Sequence, residues 1–258
     1  MDWKQSYLPE NEQPLDRLVD GYSNTAIFRT IGFIGDSLSS GEFESRNAQG
    51  QNGYHDYFEY SWGQYIARAN GLTARNFSRG GMTAKEYMET FADDNRFWDP
   101  AQACQAYVIA LGVNDIFGLN MEIGSVADID SQDYRNNRPT FAGYYAMIVS
   151  RLKEIQPRAK FFFVTIPREN AAHDEKVLPM VRLLYDLADY FDNAYVIDLF
   201  RYAPVYDEAF HKHFFLYGHM NAQGYLLTAR MIDSYIDYII RHNPEDFALV
   251  PYIGTDLS

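Results

Sequence analysis

Two stretches of this chain are apolar almost without a break, Tyr107-Val108-Ile109-Ala110-Leu111 and Phe161-Phe162-Phe163-Val164-Thr165-Ile166. Short runs of this kind fit strands covered on both faces, as in a parallel sheet between helices; a strand with one wet face would alternate. Three further segments read the same way, so the expected strands are Phe28–Gly35, Leu72–Ser78, Ala106–Gly112, Lys160–Ile166 and Ala194–Phe200.

Between them the apolar residues recur with a helical period. Phe141, Tyr145, Ile148, Leu152 and Ile155 fall on one stripe. Val177, Met180, Val181, Leu184, Leu187, Ala188 and Phe191 form another, and Tyr225, Ala229, Ile232, Ile236 and Ile239 a third. Weaker helical stretches occupy about Trp62–Asn70 and Ala84–Ala92. The alternation predicts an α/β fold, a three-layer α/β/α sandwich with a doubly wound parallel five-stranded sheet. Right-handed crossovers favour the flavodoxin-like order 2-1-3-4-5, which puts ligands at the carboxyl ends of the strands. Two polar stretches, Gly41–Tyr60 and Phe117–Pro139, follow such strand ends and read as irregular walls or insertions.

No linker-like shift in composition interrupts the 258 residues, so one domain over 1–258 is expected, with a core at about 28–240 and an extension at each end. Hydrophobic residues make up 47% of the chain, ample for a core and incompatible with global disorder. The formal net charge of −13 repels phosphate backbones and anionic lipid, which excludes nucleic acid and membrane surfaces as partners and leaves a small molecule. No apolar run approaches the roughly 18–20 residues of a membrane span. Met1-Asp2-Trp3-Lys4-Gln5-Ser6 shows no leader pattern, so a cytoplasmic location is expected. The single cysteine, Cys104, leads into an apolar run and reads as core.

Four segments at the predicted strand ends carry chemistry. Gly35-Asp36-Ser37-Leu38-Ser39-Ser40-Gly41 puts a hydroxyl where a buried strand gives way to a turn, with backbone N–H groups pointing toward it. A plain turn capped by Ser and Asp would look alike. Asn76-Phe77-Ser78-Arg79-Gly80-Gly81-Met82-Thr83 offers paired glycines that allow close backbone approach, or simply a tight turn. Leu111-Gly112-Val113-Asn114-Asp115 offers a carboxamide on the same rim, or an Asx turn. His219 stands directly before the last amphipathic helix, the only one of the six histidines at such a boundary on the predicted active rim.

Together, and in this order, these blocks resemble the SGNH (GDSL-type) hydrolase family. Gly35-Asp36-Ser37-Leu38 matches its serine block, Gly81 its glycine, Gly112-Val113-Asn114-Asp115 its asparagine block and His219 its histidine, over about Phe28 to Ile240. The Asn76-to-Thr83 spacing favours Gly81 over Gly80. The resemblance implies a serine esterase acting through an acyl-enzyme. Ser37 would be the nucleophile and His219 its base, and the oxyanion would be held by the N–H groups of Ser37 and Gly81 and the amide of Asn114. No cofactor and no metal are expected. The chain has neither a phosphate-binding glycine motif nor a zinc signature, and His211-Lys212-His213 is too sparse a set of ligands.

In one place the chain departs from that family. Its usual Asp three residues before the histidine is here Leu216. A backbone carbonyl near Phe214–Tyr217 could orient His219, a displaced acid such as Asp207 or Glu208 could do so, or catalysis could have been lost, leaving a ligand-binding protein. Asp36 and Asp115 read as structural supports of their loops. Family membership leaves the ester open. The aromatics Tyr54, Tyr57, Phe58, Tyr60 and Trp62 could stack on sugar rings or pack beneath their loop, and short acyl esters such as O-acetylated carbohydrate are the expectation. An acyltransferase using the same serine is the alternative.

Overall fold

In the computed structural model, which describes residues 8–257, the expected strands pair into one parallel sheet. They are β1 (Thr30–Gly35), β4 (Thr73–Ser78), β5 (Ala106–Ala110), β6 (Lys160–Val164) and β7 (Ala194–Ile197), in the order β4-β1-β5-β6-β7. This is the doubly wound order expected, with the topological switch between β1 and its two neighbours: Ile31 pairs with both Ala74 and Ala106. The residues Met1–Ser6, read for the absence of a leader, lie outside those described.

Successive residues of each strand feed opposite layers. Ile34, Tyr107, Ile109, Phe161 and Phe163 pack under α4 (Phe141–Ile155) and α5 (Ala171–Tyr190). Ile31, Phe33, Val108, Phe162 and Val164 pack under α2 (Trp62–Asn70) and α7 (Ala222–His242). The continuous apolar runs are therefore consumed by two cores, one on each side of the sheet. Cys104 belongs to the first, where burial pushes its thiol up to about 12. No described helix is long and apolar enough to cross a membrane.

Three strands stop short of their expected carboxyl ends. Leu111–Gly112, Thr165–Ile166 and Asp198–Phe200 lie beyond the paired residues, although the Thr165 N–H still donates to Ile197 O at 3.0 Å. Asp198 shows the reason: its side chain accepts the Arg201 N–H and caps a short helix, Leu199–Tyr202, so the chain turns away before it can pair.

The stretch Gly41–Tyr60, read as irregular, contains a two-stranded antiparallel hairpin, β2 (Glu42–Arg46) with β3 (Asn52–Asp56), separate from the main sheet. The polar side chains along it hid a strand because both of its faces are only partly covered. Gly41 starts it. With φ of 78°, it turns the chain out of the short helix α1 (Ser37–Ser40) in a conformation that disfavours any residue with a Cβ. The second stretch, Phe117–Pro139, holds single turns around buried Asp128, which accepts the Ser125 N–H, the Thr140 hydroxyl and Arg138.

Candidate active site

Ser37 is the first residue of α1, directly beyond the carboxyl end of β1, and is half-buried. As a first-turn residue its N–H has no acceptor within the helix. Asp36 caps this turn, its Oδ1 accepting the Leu38 N–H at 3.0 Å. Burial pushes the Asp36 carboxyl up to about 7, opposed by the Leu38 bond and reinforced by Asp115. Asp36 therefore shapes the serine turn.

The glycine pair divides its work. Met82 N–H donates to Arg79 O at 3.2 Å, closing a turn in which Gly81 has φ of 72°, the type II geometry that calls for glycine at its third position. Gly80 is instead pressed by a side chain: a Cβ there would collide with Glu42 Oε2. Asn114 is tied to the same loop, its Nδ2 donating to Met82 O at 3.1 Å, which leaves the second amide hydrogen unused by that bond. Its neighbour Asp115 accepts the Ala84 N–H at 3.0 Å at the start of α3 (Ala84–Glu86), and burial raises its carboxyl to about 6. The loops after β4 and β5 are thus bolted together by Asn114 and Asp115.

His219 opens β9 (His219–Met220), which returns antiparallel to β8 (Phe215–Leu216) after the two-residue turn Tyr217-Gly218. Strand β9 packs against α1 and β2. The imidazole lies between two carboxylates of β2: Glu42 Oε1 is 3.1 Å from Nε2, and Glu44 Oε2 is 3.5 Å from Nδ1. Glu44 is buried, and the same Oε2 accepts the Gly218 N–H at 2.8 Å. One carboxylate thereby fixes the turn and faces the ring it carries. Tyr225, on α7, donates its hydroxyl to Glu42 O at 2.6 Å and lies 3.5 Å from Ser37 O, linking the serine turn to the start of β2.

Of the groups weighed in the sequence to orient His219, Asp207 and the Phe214 carbonyl are engaged elsewhere. Asp207 caps α6 (Glu208–Phe214) through the Phe210 N–H at 2.9 Å. The Phe214 carbonyl accepts the Asn221 N–H at 2.9 Å. Leu216 pairs in register with His219, so an acid there would share the imidazole's face of the hairpin; here that position is an exposed leucine. Glu42 and Glu44 went unread. The available signal was their spacing of two, which on a strand sends both carboxylates to one face.

Among the aromatics after the serine, Trp62 is core, meeting Phe33 edge-on at 5.1 Å. Tyr54 is 57% exposed with its ring centroid 5.8 Å from that of His219. His211 stacks on Phe215 at 4.1 Å. A largely apolar cavity of about 90 Å³ lies beside the site, lined by Leu38, Val113, Ile166, Leu199, Tyr206 and Met220 among others. Leu38, Val113 and Met220 are the chain neighbours of Ser37, Asn114 and His219.

The GDSL-like lipase/acylhydrolase family model matches residues 33–227. No curated protein matches the sequence. Solved structures share the fold at low identity. A family two carbohydrate esterase from Clostridium thermocellum, in complex with cellohexaose, is 16% identical with a TM-score of 0.57 over 89% of this chain and 67% of that one. A putative lipolytic protein of the G-D-S-L family from Desulfitobacterium hafniense is 14% identical with a TM-score of 0.52 over 80% and 99%. A family 3 carbohydrate esterase from Clostridium thermocellum is 14% identical with a TM-score of 0.54 over 83% and 97%.

Proposed function

The chain belongs to the GDSL-like lipase/acylhydrolase family and is a carboxylic ester hydrolase, and from that premise we propose that it cleaves short-chain acyl esters through an acyl-enzyme on Ser37. His219 takes the Ser37 proton as the hydroxyl oxygen attacks the ester carbonyl, then returns it to the departing alcohol; water repeats the sequence to free the acid. The N–H groups of Ser37 and Gly81 and the second hydrogen of the Asn114 amide receive the oxyanion. Glu44 supplies what Leu216 does not, a carboxylate on the Nδ1 side of the ring, so that Nε2, beside Glu42 in this structure, is the nitrogen assigned to the serine.

The observation that carries this reading is the buried Glu44 carboxylate beside His219, on a hairpin that begins at the serine turn itself. The acyl group suits the adjoining cavity, which at about 90 Å³ is smaller than the roughly 150 Å³ void that admits benzene in an engineered core. That volume matches a short acyl chain. Carbohydrate esterases among the structural relatives make an acylated sugar a reasonable substrate.

Fluorophosphonate labelling tests the nucleophile. The wild-type protein gains one covalent adduct on Ser37 and hydrolyses 4-nitrophenyl acetate, and Ser37→Ala loses both. Hydrolysis that survives in Ser37→Ala would refute the reading, and so would an unreactive wild-type protein. Product analysis with added glycerol separates hydrolysis from acyl transfer, since a transferase would yield the glyceryl ester in preference to free acid.

A further inference from the structure

The strand that carries Glu44 carries Glu42 on the same face, and this second carboxylate has no place in the chemistry above. Its Oε1 lies 3.1 Å from His219 Nε2, the nitrogen assigned to the proton transfers. Its Oε2 sits against Gly80, next to the proposed donor Gly81. The Glu42 side chain is only 14% exposed, and its main chain is pinned by Tyr225. A negative charge held here repels the oxyanion forming beside it and competes with the leaving oxygen for Nε2.

The conflict resolves if the alcohol brings its own donor. When Nε2 turns to the leaving oxygen, Glu42 loses its partner, and a mostly buried carboxylate without a donor costs several-fold in binding. A hydroxyl on the carbon next to the esterified one would supply that donor. A plain alkyl group offers nothing, and a phosphate is repelled. An exposed ring nearby fits the same ligand. Tyr54, 57% exposed, borders His219, so an open aromatic face lies beside the imidazole.

We propose that Glu42 is the specificity residue of the leaving-group side, accepting a hydrogen bond from a hydroxyl beside the ester oxygen, so that the enzyme acts on esters of polyhydroxylated alcohols. This rests on Ser37 and His219 acting as described, and the test keeps the two apart. Glycerol 1-acetate and propyl acetate share acyl group and chain length and differ in the neighbouring hydroxyls. The wild-type kcat/KM favours glycerol 1-acetate by about 10- to 100-fold, the range of a hydrogen bond to a charged group. In Glu42→Ala the ratio falls to within about threefold of unity, and the isosteric Glu42→Gln, which keeps an acceptor oxygen, retains part of it.

Equal wild-type activity on both esters overturns the proposal, as does an unchanged ratio in folded, fluorophosphonate-reactive Glu42→Ala. A rise on both esters alike in that variant also overturns it, because Glu42 would then be only a plug on the imidazole. If the wild-type protein cleaves neither ester and does not label, the nucleophile assignment fails and this inference fails with it.

Discussion

Glu44 Oε2 stands 2.8 Å from the Gly218 N–H and 3.5 Å from His219 Nδ1, so one buried carboxylate grips both the turn and the imidazole mounted on it. The second distance is at the long end of hydrogen bonding, and a small ring rotation shortens it. Glu44→Gln keeps the Gly218 bond through its amide oxygen and removes the charge. Its kcat should fall by about 10²–10⁴ with KM little changed, because the tautomer and its imidazolium lose their support. Asp207→Asn should leave kcat as it is, since Asp207 caps a helix. Steady-state kinetics on 4-nitrophenyl acetate decide between them.

Asn114 joins the loops after β4 and β5 through Met82 O, a bond that uses one of its two amide hydrogens. Asn114→Ala should lower kcat by about 10²–10³. Thermal unfolding monitored by circular dichroism should show a modest loss, since a single hydrogen bond is removed. A kcat close to wild type would exclude Asn114 from the oxyanion site.

The cavity beside the site is bounded by Leu199, which is 2% exposed. Leu199→Ala enlarges it at a cost of about 2–5 kcal/mol in stability. Comparing acetyl, butyryl and octanoyl esters should show the wild type preferring the short chains and the variant gaining on octanoyl. An unaltered chain-length profile would place the acyl group elsewhere.

Asp36 makes stability depend on pH. Its carboxyl titrates near 3.8 when free and is raised to about 7 in the fold, so the native state holds the proton more tightly. The resulting stabilisation is complete below the free value and is lost as pH rises through about 7. Asp36→Asn keeps an oxygen acceptor for the Leu38 N–H and cannot ionise. Its Tm relative to wild type should therefore climb between about pH 4 and pH 7 and stay level above that. A constant difference across this range would mean that Asp36 ionises in the fold as it does in water.

The layered fold was legible because its signal is local. A run such as Phe161–Ile166 cannot sit on a half-wet surface, and the stripes of α4, α5 and α7 have only one apolar face each, so the sheet and its order follow. The strand ends were less legible, because where Asp198 stops β7 depends on a cap formed with Arg201 rather than on apolar pattern. The surroundings of the histidine were not legible at all. Glu44 is 175 residues from His219 in the chain, in a polar segment without an apolar period.

By itself, then, the sequence determined the sheet, its helical layers and the four blocks on its rim, since hydrophobic period and turn chemistry act over a few neighbouring residues. Only the tertiary structure decided which acid faces His219 and that a second one sits on its other nitrogen. Those are contacts between distant segments, and they exist because a hairpin starting at Gly41 folds back over the β8–β9 turn. Nothing in the local pattern of either segment encodes that meeting; the packing of one against the other does.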